Sequence, residues 1–175
     1  MHTEDTAALV ARMQAGDTAA FDEIFAAYQK TAVRTAALIS GDTALAEDIA
    51  QEAFVQCILH IGALKDSLRF RPWFYRILTR CAWKAARSAP RADWNESLED
   101  SLSPVTDVYP SEYADVYAAL NRLSQRQRTA VILRYFNDLS LREIARATGV
   151  PEATVKTRLF AARRRLERIL KEEGR

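Results

Sequence analysis

Residues 140–166 read SLREIARATGVPEATVKTRLFAARRRL, and this stretch decides the fold of the C-terminal part of the chain. Ala145, Gly149 and Val155 stand at the spacing of a helix-turn-helix. Alanine lets two helices cross closely, glycine takes the positive φ that the turn needs, and valine buries the second helix against the first. Pro151 is typical of the first turn of that second helix. The stretch therefore predicts two helices joined by a tight turn.

The second of these helices has an apolar face and a basic face. Its apolar positions recur at helical spacing and are Val155, Leu159, Ala162, Leu166, Ile169 and Leu170. Its outward positions are Thr157, Phe160, Ala161 and Arg164, flanked by Lys156, Arg158, Arg163 and Arg165. A rigid helix with such a face fits the major groove of DNA. An ordinary helical hairpin with a solvated basic face is the alternative, but the spacing, the helix caps and the net charge favour DNA binding.

Charge is distributed unevenly around this motif. Residues 121–175 carry 14 Lys and Arg against six acids, whereas residues 91–120 carry one Arg against seven acids. Residues 1–90 balance ten bases with ten acids. The acidic stretch also contains prolines and serines without a sustained period, which is typical of a linker. We therefore predict two small domains, residues 1–88 and residues 112–175, joined by an acidic flexible linker at residues 89–111.

Helical periodicity also recurs outside residues 140–166, and no segment alternates as a strand would. Helix start signals are Asp17, the segment Gly41-Asp42-Thr43, Pro72, Ser124 with Gln127, and Ser140 with Glu143. The segment at 41–43 is predicted to open a helix whose apolar stripe is Leu45, Ile49, Ala53, Ile58 and Ile61. These signals predict an all-α fold.

A basic and aromatic segment lies before the predicted linker. Arg76, Arg80 and Lys84 are four residues apart and share one helix face. The aromatic residues among them are Phe70, Trp73, Phe74, Tyr75 and Trp83. Cations bind phosphates and aromatic rings stack on unpaired bases, so the segment suits single-stranded DNA. The alternative is that the rings form the core of a small domain, which we expect at least for Trp73 and Phe74.

An acidic helix precedes this segment. Glu47, Asp48, Gln51 and Glu52 lie close to one helix face. Beside a basic strip, such a face suits a protein partner better than DNA, and a solvated helix face is the alternative.

The sequence predicts neither an enzyme nor a bound cofactor. Cys57 and Cys81 form no C-x-x-C pair, and the two histidines complete no metal-ligand spacing, so both thiols are expected to be reduced. We also find no nucleophile paired with a base and no phosphate-binding loop. No apolar run approaches the ~18 residues that span a bilayer, and the N-terminus lacks the pattern of a secretory signal, so the expected location is cytoplasmic.

Several of these motifs together resemble one known family, the extracytoplasmic-function sigma factors of the sigma-70 class. Residues 46–54, AEDIAQEAF, resemble the family's A-E-D-hydrophobic-x-Q-E-hydrophobic-F segment. Residues 70–77, FRPWFYRI, resemble its F-x-x-W-L-x-R-I segment, and residues 120–166 resemble sigma region 4. The likeness covers nearly the whole chain in the family's order. It implies a protein that binds core RNA polymerase and directs it to promoters in response to a stress or envelope signal.

The resemblance also implies roles for particular residues. Asp48, Gln51 and Glu52 would dock on the polymerase beta-prime subunit, with the beta subunit as a second contact. The −10 promoter element would be read and opened by Tyr75, Arg76, Arg80 and Lys84. The −35 element would be bound by Thr154, Lys156, Thr157, Arg158, Phe160 and Arg164. The acidic linker would pass through the polymerase cleft, and an anti-sigma factor would restrain the protein.

Two positions depart from the family pattern, and two other functions compete with this one. Arg80 stands where the family often has an asparagine that contacts a −10 base, and Ala161 stands where a basic residue is common. A stand-alone helix-turn-helix regulator would use residues 124–175 alone and leaves the N-terminal half unexplained. A mimic that binds anti-sigma proteins without DNA is disfavoured by the basic excess in residues 121–175.

Overall fold

A computed structural model describes residues 3–88 and 114–173 of the chain, and every regular element in these two ranges is helical. The eight α-helices are α1 (Thr3–Gln14), α2 (Thr18–Ser40), α3 (Ala46–His60), α4 (Phe70–Ser88), α5 (Ala114–Asn121), α6 (Gln125–Tyr135), α7 (Leu141–Thr148) and α8 (Glu152–Glu173). Two 3-10 turns, Ile61–Ala63 and Ser67–Arg69, connect α3 to α4. The all-α prediction is confirmed, and the linker predicted at residues 89–111 lies outside the described residues.

The N-terminal half is built around α2. Asp17 caps this helix as predicted, because its carboxylate accepts a hydrogen bond from the Ala19 N–H. Helix α2 packs against α1, α3 and α4. Their shared core includes Ile24, Ile39, Phe54, Phe70, Phe74 and Leu78. This packing fixes α3 and α4, the helices that carry the predicted acidic and basic faces, side by side.

The predicted start of α3 is wrong by several residues. Gly41 ends α2 in the left-handed conformation, with φ of 77° and its N–H donating to the Ala37 carbonyl, and α3 begins only at Ala46. The predicted apolar stripe shifts accordingly. Cys57 is buried and Ile58, one residue or about 100° further round the helix, is exposed.

The C-terminal half is assembled by helix caps and an apolar core. Both predicted capping boxes are present, at Ser124 with Gln127 and at Ser140 with Glu143. Helix α8 packs against α5, α6 and α7. The core of this half includes Leu120, Leu123, Ile132, Leu133, Ile144, Val155 and Leu159. The helix-turn-helix therefore rests on a base formed by α5 and α6.

The two halves contact each other, with α6 against α2 and α7 against α4. Arg128 of α6 reaches the end of α2, where its Nη2 donates to the carbonyl oxygens of Ile39 (2.9 Å) and Ser40 (3.2 Å). The last carbonyls of a helix lack partners within the helix and carry its negative dipole end, so a guanidinium stabilises them. Burial lowers the pKa of Arg128 to about 10, which leaves it charged at neutral pH.

Gly41 permits this approach of Arg128. A methyl group added at Gly41 would lie 3.1 Å from Arg128 Nη1 and 3.2 Å from Asn121 Oδ1, in addition to the strain at positive φ. Gly16 has a φ of 92° and open space around it, so alanine at this position would add backbone strain without a steric contact. It is therefore the matched control for Gly41. We expect Gly16→Ala to lower the free energy of unfolding by about 1 kcal/mol and Gly41→Ala by about 2 kcal/mol.

Urea or thermal unfolding measures this difference, since 1 kcal/mol shifts Tm by about 2–4 °C for a chain of this size. Gly62→Ala serves as a second control, because a methyl there meets nothing within 4 Å and the residue has no positive φ. Equal destabilisation by Gly41→Ala and Gly16→Ala would show that the contact with Arg128 adds nothing.

Among the helices described at residues 3–88 and 114–173, none is both long enough and apolar enough to cross a membrane.

Candidate nucleic-acid interface

The turn of the helix-turn-helix has the predicted geometry. Helix α7 ends at Gly149, whose φ is 71° and whose N–H donates to the Ala145 carbonyl at 2.8 Å. Pro151 directly precedes α8, and its carbonyl accepts a hydrogen bond from the Val155 N–H at 3.2 Å. Val155 is 1% exposed. Each of these residues therefore plays the structural part that the sequence predicts for it.

The outward face of α8 is open to solvent. Lys156, Thr157, Phe160 and Arg164 are exposed, while Thr154 and Arg158 are half-buried. The guanidinium carbon of Arg164 lies 5.8 Å from the centre of the Phe160 ring, which is 60% exposed. An aromatic ring on this face can contact a thymine methyl, and the cations beside it can bind phosphate oxygens or guanine edges.

Arg126, on α6, is a further exposed cation of the C-terminal half, and it is not among the DNA contacts predicted from the sequence. Partial burial and the nearby charge of Arg126 on α6 lower the pKa of Arg158. Like charges disfavour each other's protonated form, and an anion placed between them removes that repulsion. The packing of α6 on α8 brings the charge of Arg126 into the neighbourhood of Arg158, which adds to the positive charge of this half.

The second basic surface lies on α4. Arg76, Arg80 and Lys84 are all exposed, at the four-residue spacing that places them on one face of this 19-residue helix. We call these three residues the α4 cations. Their arrangement provides a row of positive charge along one side of the N-terminal half.

Tyr75, which the sequence grouped with the α4 cations, lies apart from them. It is buried at 3% exposure, and its hydroxyl accepts a hydrogen bond from Asn137 Nδ2 at 3.0 Å. Burial raises the pKa of the Tyr75 phenol. With its side chain buried, Tyr75 does not lie on the exposed face that carries the α4 cations.

Most of the predicted stacking rings belong to the core. Phe70 and Phe74 are fully buried and pack with Tyr28 and Phe54 at centroid distances of 5.0–5.8 Å. Trp73 is half-buried against this cluster. The sequence reading of a ring-lined surface for unpaired bases is therefore wrong for the buried rings, and the alternative of a core cluster is correct for them.

The acidic face of α3 continues into an apolar patch. Asp48, Gln51 and Glu52 are exposed, and one to two turns further along α3 the large side chains Val55, Ile58 and Leu59 are exposed as well. Leu59 reaches 66% exposure. We call these six residues the α3 surface. A contiguous patch of apolar side chains bordered by charge is typical of a protein-binding site.

Asn137, in the turn between α6 and α7, joins the two halves and was not singled out in the sequence. It is 3% exposed, and its Nδ2 donates to Thr35 Oγ1 of α2 at 2.8 Å as well as to Tyr75 of α4. The main-chain carbonyl oxygen of Asn137 accepts a hydrogen bond from the guanidinium of Arg71. The neighbouring Asp138 has a φ of 52°, which is typical of a turn. The Asn-Asp pair in the sequence therefore indicates a turn, but it does not indicate which distant residues Asn137 bonds.

The cysteines and acids of the described residues show no metal-binding chemistry. Burial raises the pKa of the Cys57 thiol to about 12, and Cys81 is half-buried with its pKa also raised. Such thiols are unreactive. Within the described ranges, no group of three or more His, Cys, Asp or Glu side chains could hold a metal ion.

Two family models match the chain in the order of its two halves. Sigma-70 region 2 matches residues 24–92, and Sigma-70, region 4, matches residues 113–166. The first match contains α3 and α4, and the second contains the helix-turn-helix. The basic and acidic surfaces described above therefore lie within the matched segments.

Curated relatives match over nearly the whole chain. The ECF RNA polymerase sigma factor SigM of Mycobacterium tuberculosis is 33% identical and the match covers 97% of this chain and 86% of the relative. The RNA polymerase sigma-H factor of Pseudomonas aeruginosa is 30% identical, with coverage of 93% and 92%.

Solved structures share the fold at lower identity. CnrH, in complex with the cytosolic domain of CnrY, aligns with a TM-score of 0.75 at 24% identity, covering 95% of this chain and 97% of that one. The sigma factor RpoE of Bartonella quintana, in complex with the anti-sigma factor NepR, aligns with a TM-score of 0.67 at 22% identity, covering 86% and 96%. Together with the curated relatives and the two region matches, these likenesses establish that the chain belongs to the extracytoplasmic-function sigma factors of the sigma-70 family.

Proposed function

We propose that the chain acts as a non-catalytic initiation subunit that binds core RNA polymerase and directs it to promoters with −10 and −35 elements. The observation that carries this proposal is the presence of three separate binding surfaces on one chain. They are the exposed face of α8, the α4 cations and the α3 surface. A stand-alone regulator needs only the first of them, so the other two favour a sigma factor.

The outward face of α8 is the proposed −35 contact, through Thr154, Lys156, Thr157, Arg158, Phe160 and Arg164. Lys156, Thr157 and Phe160 are exposed in the first three turns of the second helix, where helix-turn-helix proteins contact base edges, and Arg164 is exposed one turn further along. We add Arg126, because it is exposed on α6, which packs on α8, and its charge acts on Arg158. Ala161, beside Phe160, is uncharged. We therefore expect an apolar contact with DNA at this position in place of the charged contact that a basic residue would make.

Lys156→Ala and Arg158→Ala are expected to weaken binding at promoters with a −35 element. Loss of a phosphate contact should flatten the log-log salt dependence by about one unit for all sequences. Loss of a base contact should instead cost about 1–3 kcal/mol and relax the preference at one base pair. Fluorescence anisotropy of holoenzyme on −35 duplexes across a salt series distinguishes the two results.

Lys171→Ala is the matched control, since it removes one exposed cation from the far end of the same helix. If Lys171→Ala weakens binding as much as Lys156→Ala, the contact is not made by the outward face of the N-terminal turns of α8.

The α4 cations are the proposed −10 contact, with Arg80 in the place where the family often has asparagine. An arginine there brings a delocalised charge and a planar fork that binds phosphate or a guanine edge. Arg76, Arg80 and Lys84 are exposed in a row, which suits a strand whose phosphates follow the helix. Tyr75 would have to leave its buried position and its hydrogen bond with Asn137 to join them.

The α3 surface is the proposed docking site for core polymerase. Asp48, Gln51 and Glu52 supply the polar part, and Val55, Ile58 and Leu59 supply apolar area that would otherwise stay in water. A partner surface that combines basic and apolar side chains matches this composition. Such a partner is expected in the polymerase beta-prime subunit.

We further propose the division of the chain into residues 1–88, an acidic linker at 89–111 and residues 112–175, with the protein acting in the cytoplasm where promoter DNA is. Regulation by an anti-sigma factor in response to a stress or envelope signal belongs to the same proposal. Its support is the family, together with similar structures described as complexes with CnrY and with NepR.

Run-off transcription with purified core polymerase on genomic fragments tests the proposed function. Start sites should appear only when this chain is added, and alignment of their upstream sequences should reveal two shared elements. Specific DNA binding without any dependence of transcription on the chain would favour the stand-alone regulator instead.

A further inference from the structure

A pocket of about 280 Å³ lies between α1, α2, the 3-10 turn Ser67–Arg69 and the start of α4. Of the ten described residues that line it, six carry a hydroxyl group, and they are Thr3, Thr6, Tyr28, Thr31, Ser67 and Tyr75. Arg71 is the one charged residue among those ten, so none of them is an acid. A guanidinium with hydroxyl groups around it donates hydrogen bonds to an anion and does not repel it. The lining is therefore suited to an anionic ligand.

The polar groups of the pocket converge on Arg71. Burial raises the pKa of the Tyr75 phenol, whereas the charge of Arg71 and a hydrogen bond between the two side chains oppose that rise. The guanidinium and the Tyr75 hydroxyl are therefore adjacent. Arg71 also donates to the main-chain carbonyl oxygen of Asn137. A guanidinium has five N–H groups, so these two contacts do not exhaust its donors.

The wall made by the 3-10 turn is held in place from two sides. Gln14 of α1 donates from its Nε2 to two carbonyl oxygens of the connection between α3 and α4, at 2.9 and 2.7 Å. The Asp66 carboxylate accepts a hydrogen bond from the Leu68 N–H at 3.1 Å and so caps the turn. On the opposite wall, the rings of Tyr28 and Phe70 pack edge to face with their centroids 5.6 Å apart. Small-molecule sites are largely pre-formed, and these contacts give the pocket that character.

From the lining and the size of the pocket we propose that it binds a small phosphate monoester, with the phosphate group at Arg71 and the organic part against the rings of Tyr28 and Phe70. A phosphate monoester offers three terminal oxygens to the guanidinium and the surrounding hydroxyl groups, whereas a carboxylate offers two. The volume is near the lower limit of about 300 Å³ for small-molecule sites, so the organic part has the size of a single ring. This site goes beyond the proposed function, which uses neither Arg71 nor the ring of Phe70.

A promoter strand is the other source of phosphate groups near α4. Arg71 and Arg80 are nine residues apart, which corresponds to about 180° around an α-helix. A strand that follows the α4 cations therefore runs on the side of α4 opposite to Arg71. A phosphodiester within a strand also has only two free oxygens. Both facts favour a free ester over DNA as the ligand of this pocket.

NMR titration of the full chain with ribose 5-phosphate tests the proposal, because the shifts of backbone amide resonances show where the probe binds. We expect saturable shifts at Thr31, Ser67 and Leu68, with a Kd of about 1 mM for a ligand of this size. Ribose without the phosphate group should cause no saturable shift at the same concentration. Salt at about 0.15 M screens weak attraction of the probe to the α4 cations and to the outward face of α8.

Arg71→Gln should weaken the binding of ribose 5-phosphate about tenfold or more, because it removes the charge that pairs with the phosphate. Arg87→Gln makes the same change at an exposed position near the far end of α4 and should leave the affinity unchanged. Thr31→Val removes one hydroxyl group and leaves Arg71 in place, so it tests the site even if Arg71→Gln disturbs the fold. We expect it to weaken binding a few-fold. Thr18→Val, at an exposed position of the same helix, should have no effect.

No shift of the pocket amides at about twenty times the expected Kd would overturn the proposal, as would equal binding of ribose and ribose 5-phosphate. Shifts of the pocket amides by a single-stranded oligonucleotide but not by ribose 5-phosphate would assign the pocket to DNA and overturn it as well. The titration requires neither polymerase nor a promoter, so its outcome is independent of whether the proposed function fails.

Discussion

Arg80→Glu is expected to abolish opening of promoter DNA while holoenzyme assembly and duplex binding by the C-terminal half persist. Arg80 is exposed at the centre of the α4 cations, one turn from both Arg76 and Lys84. Opening a duplex requires groups that stabilise the unpaired strand, and a glutamate at this position replaces attraction to its phosphates with repulsion. Loss of a charge-assisted contact costs about 1.5–3 kcal/mol before that repulsion is added, so open complexes should fall by about a hundredfold or more.

Permanganate reactivity of promoter thymines reports opening, and a gel shift of the holoenzyme reports assembly. Lys30→Glu is the matched control, because it reverses one exposed cation on α2 within the same half of the chain. Thymines near the start site should react with the wild type and with Lys30→Glu but not with Arg80→Glu. Reactive thymines with Arg80→Glu at wild-type level would remove α4 from the opening step.

Reversing the charge of the α3 surface should produce a comparably large loss at an earlier step. Asp48→Arg and Glu52→Arg each place a cation where a basic partner surface is expected. Removing one charge from a desolvated pair costs about 2–5 kcal/mol, so affinity for core polymerase should fall about thirtyfold or more for each variant. Helix content should not change, because both side chains are exposed and neither caps α3.

Native pull-down with core polymerase measures the docking loss, and circular dichroism checks the fold. Glu167→Arg makes the same change at an exposed position of α8 and controls for net charge. Wild-type recovery of both α3 variants would place the polymerase contact elsewhere. Replacing Leu59, the most exposed apolar residue of this surface, with serine would then separate an apolar contact from a charged one.

Local chemistry made much of this fold predictable. Capping boxes act within three residues, and the positive φ of Gly149 is required by the turn itself, so both could be predicted from neighbouring residues. The face formed by the α4 cations follows from helical spacing alone. These features depend on contacts between residues that are close in sequence, so they can be predicted from the sequence alone.

The errors arose where distant segments decide the outcome. The segment around Gly41 has the residues of a helix start, but Gly41 ends α2. It lies next to the guanidinium of Arg128, which belongs to a helix more than 80 residues later. Tyr75 is predicted to act beside the α4 cations, but its side chain is buried and its hydroxyl is bonded to Asn137, a partner that the sequence does not indicate. Exposure of Val55, Ile58 and Leu59 likewise depends on which side of α3 the rest of the core occupies. Periodicity predicts that a helix has two faces but not which distant helix covers each face.

The hydrogen bonds of Asn137 have a further consequence for how the protein can be divided experimentally. Asn137 of the C-terminal half is hydrogen-bonded to Thr35 and Tyr75 of the N-terminal half, so the energies of substitutions at these three residues are not additive. A fragment that ends after α4 leaves Thr35 and Tyr75 without the amide of Asn137, and a fragment that begins at α5 leaves that amide without both hydroxyls. The free energies of unfolding of the two fragments therefore do not add up to that of the whole chain, because the hydrogen bonds between the halves are present in neither fragment.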